Sequence, residues 1–213
     1  MTRAIFVREL RLALAHGNFT LPVSFFLLVA ALFPFAVGAD AKLLAASGGG
    51  ALWVAALLAA LLPVDRLVEP DRAAGVLDQY SMRGVAAESV VVAKLGAHWL
   101  SFAVPLLIAV LPASALLGID AAVVKRVMIS LALGMPGLAA LGVLAGALTA
   151  SLKGAAALAG LLVLPLAVPV LIFGAGALQP DAGGALELLA ATSLLYVAAV
   201  PFVGGAALRA LRG

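Results

Sequence analysis

Few residues in this chain of 213 could do chemistry, and they are not grouped for it. Cysteine is absent, which removes disulfides, thiolate zinc, iron–sulfur ligation and a cysteine nucleophile. There is no G-x-x-x-x-G-K-[ST] phosphate loop, so the chain does not hold ATP in that way, and there is no H-E-x-x-H motif or nucleophile elbow. No catalytic residue and no metal site are expected. Of the two histidines, His16 reads as a solvated residue. His98, followed by Trp99, has two readings. A neutral imidazole is a good contact for haem iron or another substrate. Alternatively the pair marks a membrane boundary, where tryptophan is enriched.

The densest chemistry lies between residues 65 and 94, which hold nine of the 23 charged residues: Asp65, Arg66, Glu69, Asp71, Arg72, Asp78, Arg83, Glu88 and Lys94. A passive connection needs only about 2–8 residues. This one interleaves Val76, Leu77 and Tyr80 with its charges, a mixture that suits a docking surface for a protein partner as well as a solvated loop.

The elements that must position these residues follow from composition. The chain is 65% hydrophobic and only 11% charged, with mean hydropathy +1.23. Soluble domains carry about 25% charged residues, so a soluble enzyme, a disordered chain and a nucleic-acid module are excluded. Long Ala/Leu/Val runs replace the short alternating strands of a porin-like barrel. A bilayer needs about 20 apolar residues per helix, and six stretches qualify: about 19–38, 49–64, 95–117, 127–150, 155–178 and 186–208. The second is read as starting in the Ser47-Gly48-Gly49-Gly50 turn. No span carries an ionisable residue in its interior, which disfavours a proton- or ion-coupled carrier and an intramembrane enzyme.

With the N-terminus inside, Arg3, Arg8, Arg11, Arg66, Arg72, Arg83, Lys94, Lys153, Arg209 and Arg212 face the cytoplasm, and only Lys42, Lys125 and Arg126 face out. This positive-inside bias puts both termini and the 65–94 loop in the cytoplasm. Phe6, Leu10 and Leu14 recur at helical spacing, so residues 1–18 are expected to lie as an interfacial helix. Trp53 reads as an interfacial anchor. Nine prolines in or beside the spans, Pro63 and Pro136 among them, suit kinked helices that move, although membrane helices also tolerate proline in static roles. Gly142 and Gly146 form a G-x-x-x-G step, compatible with internal packing or with dimerisation.

Three stretches carry a resemblance: Leu52 to Leu62 followed by Asp65-Arg66-Leu67; Val92-Ala93-Lys94-Leu95-Gly96-Ala97-His98-Trp99; and Leu162 to Phe173 with Pro165 and Pro169. They resemble the haem exporter B (CcmB) family of cytochrome c maturation, and the likeness runs from Arg8-Glu9-Leu10-Arg11 through the fifth span. The resemblance implies an all-α integral membrane fold, one permease domain over residues 1–213 of the ABC-2 type (type V exporter-like), with an N-terminal interfacial helix. It implies a multi-pass protein of the bacterial inner membrane that couples ATP hydrolysis in a partner to delivery of haem, or release of its chaperone, outside. The implied partners are a CcmA-like ATPase, a second copy of the chain, a haem-handling CcmC-like membrane protein, a small CcmD-like subunit and a periplasmic CcmE-like haem chaperone. Haem is then cargo rather than a tightly bound cofactor, and ATP is bound only by the partner. By motif, the ATPase contact falls on Asp65, Arg66, Glu69, Asp71, Arg72, Gly75, Leu77, Asp78 and Gln79. The family's acidic Asp-Gly-Ser-Leu-Glu-Gln stands here as Ala74-Gly75-Val76-Leu77-Asp78-Gln79, and its basic pair after the fourth span is reduced to Lys153-Gly154. A non-transporting scaffold of the same machinery, or the permease of another ABC-2 exporter, remains an alternative.

Overall fold

A computed structural model describes the chain apart from Ala39, Lys153, Gly154, Pro180, Arg212, Gly213 and the side chains of residues 155–157. The contact expected at Lys153-Gly154 therefore lies outside the described residues. The described residues form helices α1 (Thr2–Ala15), α2 (Thr20–Val37), α3 (Ala41–Leu61), α4 (Asp65–Ala73), α5 (Val76–Met82), α6 (Ala87–Leu116), α7 (Ala121–Thr149), α8 (Ala155–Gly176) and α9 (Ala185–Ala210). Six segments are long and apolar enough to cross a bilayer, α3 and α4 counting as one. All-helical construction follows from the solvent, since a helix satisfies its own backbone groups where water cannot.

Charge and capping explain where the helices depart from the hydropathy spans. α3 starts at Ala41 rather than near Gly49, because the Asp40 carboxylate accepts from the backbone N–H groups of Lys42 (2.8 Å) and Leu43 (3.2 Å). Gly48 and Gly49 are thus helix interior, not a turn. A Cβ at Gly49 would lie 2.8 Å from Leu178, so the glycine lets α3 approach the end of α8. α6 starts at Ala87, eight residues before the expected boundary, and α7 at Ala121. Charges at Glu88 and Lys94 hid the first turns of α6 from a hydropathy reading. At about 1.5 Å per residue α6 is roughly 45 Å long, well beyond a hydrocarbon core of about 30 Å.

α7 is the centre of the bundle. Of its most apolar window 67% is buried, against 17% for α2 and for α9. Trp53 is fully buried rather than anchored at an interface. Its indole N–H donates to Ser130 Oγ at 2.9 Å, and its ring fills space that Gly134 of α7 and Gly174 of α8 leave open. The backbone N–H of Gly137, beside Pro136, donates to Ser193 of α9 at 2.8 Å, which supplies a partner at the proline break. The G-x-x-x-G step is used inside the chain. A Cβ at Gly146 would lie 2.9 Å from the Val64 carbonyl, and one at Gly142 would lie 3.4 Å from His98 Nε2.

Residues 65–94 are ordered rather than a free loop. Pro63 lies in the turn between α3 and α4. Gly75 (φ +67°) and Gly84 (φ +69°), in the left-handed region where a side chain is strained, punctuate α4, α5 and α6. Val68, Leu77 and Val85 enter a second apolar cluster with Ile5, Val90, Val143 and Leu208, so the hairpin packs against α1, α6, α7 and α9.

Candidate functional site

The site is assembled where α1, α4 and α6 meet. α1 lies across α6, with Phe6 so close to Gly96 that a Cβ there would sit 3.2 Å from the ring. This brings Arg8 and Glu9 to Asp71 of α4 and Lys94 of α6. Arg8 grips Asp71 with two nitrogens, at 2.7 and 3.3 Å, and also pairs with Glu9. The Lys94 ammonium donates to Glu9 at 2.9 Å and to Asp71. Asp71 is 6% exposed and Lys94 3%. Two cations thus meet two anions, which is the condition for burying charge without a large penalty. Burial pushes the Asp71 carboxyl up, but hydrogen bonds and charge from Arg8 and Lys94 outweigh it and hold the group below its ordinary value. The same pairing with Asp71 raises Arg8.

A second tie runs from α4 to α7. Arg72 pairs with Glu69 one turn back (2.8 and 3.0 Å) and donates through Nε to the carbonyl of Ala150, the C-cap of α7, at 2.9 Å. A cation is favoured at that end of a helix. Arg72 in turn holds the Glu69 carboxyl below its usual range.

The residues expected to contact an ATPase therefore divide. Asp71 and Leu77 face the protein interior: the first is consumed by an ion pair and the second is 2% exposed, so neither has surface to present. Glu69 and Arg72 hold the end of α7. Gly75 supplies the turn. Asp65, Arg66, Asp78 and Gln79 are exposed, and Met82, 81% exposed at the end of α5, joins them although it was not among the expected contacts. Arg8, Glu9 and Lys94 were also missed as a unit. The available signal was Lys94 four residues before His98, hence on the same face of a helix whose only other charge is Glu88 in its first turn.

His98 is buried inside the bundle. It is 5% exposed, stacks on Phe102 with centroids 5.7 Å apart, and its Nε2 has no hydrogen-bond partner. Trp99 is half-buried beside the main core. No group of three metal-ligating side chains occurs among the described residues.

Six spanning segments with α7 at their centre, and a charged helical hairpin tied to their ends, define an all-α multi-pass membrane permease. Comparison with known proteins narrows the class: residues 1–211 match the family described as CcmB protein, and the chain belongs to that family. It is 42% identical over 213 residues to heme exporter protein B of Rhodobacter capsulatus, with 97% of this chain and 98% of that protein covered. It is 41% identical to heme exporter protein B of Paracoccus denitrificans over the same shares, and 39% identical to that of Escherichia coli K12, with 96% of each chain covered.

Proposed function

We propose that this chain is the membrane permease subunit of a haem exporter serving cytochrome c maturation, moved by a separate ATPase that rests on α4 and α5. The names of its relatives supply the haem cargo. The observation that carries the coupling role is the double attachment of α4, to α1 and α6 through the four-charge cluster and to the end of α7 through Arg72. A push on α4 cannot be absorbed locally, because buried ion pairs and packed helices yield as units. The chain itself is not the enzyme. ATP hydrolysis belongs to a CcmA-like partner, and the complex contains a second copy of this chain with CcmC-like, CcmD-like and CcmE-like proteins. It lies in the bacterial inner membrane as one permease domain, with α5 and both termini cytoplasmic.

The ATPase contacts Asp65, Asp78, Gln79 and Met82, which are among the exposed residues of the hairpin. Purification of the native complex is expected to recover a P-loop ATPase. Asp78→Lys with Met82→Glu is expected to reduce that recovery while the helical content stays unchanged. Undiminished recovery would remove the docking role. Arg72 is unsuitable for this test, since its loss would also free the end of α7.

A further inference from the structure

A cavity of about 310 Å³ lies between α1, the start of α2, the α3–α4 turn and α6, bordered by the four-charge cluster, and the proposed coupling role assigns its interior no occupant. Its volume falls in the range of small-molecule sites, about 300–1,000 Å³. One wall is apolar, formed by Leu12, Phe19, Pro22, Leu67 and Phe102. The other is charged, formed by Glu9, Asp71, Lys94 and Arg66. Three of these four charges are already satisfied by one another and by Arg8. Arg66 is not: it is exposed, and it forms no ion pair with any described residue, neighbouring Asp65 included. The cavity therefore combines a hydrocarbon surface with one guanidinium outside any described ion pair and, deeper in, the unpartnered Nε2 of His98.

We infer that this cavity binds an anionic amphiphile, an acidic phospholipid of the adjoining leaflet, with its phosphate on Arg66 and its first methylenes against Phe19, Pro22 and Phe102. A guanidinium matches a phosphate in a two-pronged contact that an ammonium cannot reproduce. A cation is excluded by Arg66 and finds the carboxylates engaged. A neutral amphiphile leaves Arg66 without a counter-charge. The depth also agrees. α2 begins and α3 ends beside the cavity, so it lies where spanning helices leave the hydrocarbon and phosphates are concentrated. The occupant would touch α1, α4 and α6 at once, so its presence would stiffen the junction that holds α4. The inference depends on the spans and not on which side of the membrane α4 faces, nor on the ATPase.

The test uses the full-length chain purified in mild detergent and read by native mass spectrometry and by phosphorus analysis of extracted lipid. The wild type is expected to retain about one acidic phospholipid per chain, and added phosphatidylglycerol is expected to raise the unfolding temperature. Phosphatidylethanolamine and inorganic phosphate are expected not to raise it. Arg66→Gln, at an exposed position that leaves the fold intact by circular dichroism, should weaken retention about tenfold, as loss of one charged hydrogen-bonding partner does. Ala97→Leu, which fills the cavity from α6 and leaves Arg66 in place, should do the same. Equal retention by wild type and both variants would overturn the inference. So would equal stabilisation by free phosphate or by the zwitterionic lipid. Haem titration that shifts the Soret band through His98 while Arg66→Gln has no effect would give the cavity to cargo instead.

Discussion

Lys94 and Asp71 differ in what their loss exposes. Lys94→Met strips Glu9 and Asp71 of a shared donor at 3% exposure and is expected to cost about 3 kcal/mol or more, seen as a lowered unfolding temperature in detergent. Asp71→Asn combined with Lys94→Met removes one charge of each sign and is expected to recover part of that loss. A double variant no better than the single would show that the cluster does not act as a unit. Acid is a second probe. The Asp71 carboxyl lies below its ordinary 3.8 when folded, so its stabilisation is complete above that value and is lost as pH falls through the lower folded one. The unfolding temperature should thus be insensitive to this group from about pH 8 to about pH 5 and fall only in stronger acid. A loss centred near neutral pH would point to another group. The cluster was only half legible in the sequence. Each of its members was visible as a charge flanking an apolar run, but such charges look alike until the helices are placed, and solvated topology determinants are the commoner case.

At the scale of elements, glycine decides which helices touch. Gly146→Ala puts a methyl 2.9 Å from the Val64 carbonyl, a backbone atom that cannot swing aside, and is expected to destabilise by about 1–3 kcal/mol. Gly160→Ala, where nothing lies within 4 Å, is the control and should cost nothing, since alanine is the better helix former. Equal effects on thermal unfolding would show that α7 does not pack on the α3–α4 turn. The G-x-x-x-G spacing announced a close approach, and only the fold reveals that His98 and Val64, not a second chain, occupy it. The Gly48-Gly49 pair misled for the same reason. Three successive glycines suggest a turn, but Asp40 had already started the helix, and the missing side chains serve packing against Leu178. Trp53 was misplaced because its indole N–H, expected to seek the interface, is satisfied inside by Ser130.

For the whole molecule, topology is the property on which the mechanism stands. The chain has no cysteine, so single-cysteine variants report sidedness without background. Ser81→Cys at the end of α5 is expected to react with an impermeant maleimide only from the cytoplasm, and Asp181→Cys between α8 and α9 only from the periplasm. The opposite result would invert the protein and remove the ATPase from α4. The six-span architecture was plain in the sequence, because hydropathy is a sum over twenty residues and survives local error. Connections between spans were not, because they depend on single side chains. Arg72 holds the last turn of α7 at one end, while at the other Arg126 of α7 donates to the Leu178 carbonyl just beyond α8, at 3.0 Å. The 29-residue helix, roughly 44 Å from tip to tip, is therefore clasped by a guanidinium at each extremity. Under the proposed coupling role it would serve as a connecting rod: a push on its Arg72 end would be delivered to α8 at the Arg126 end, without any group needing to cross.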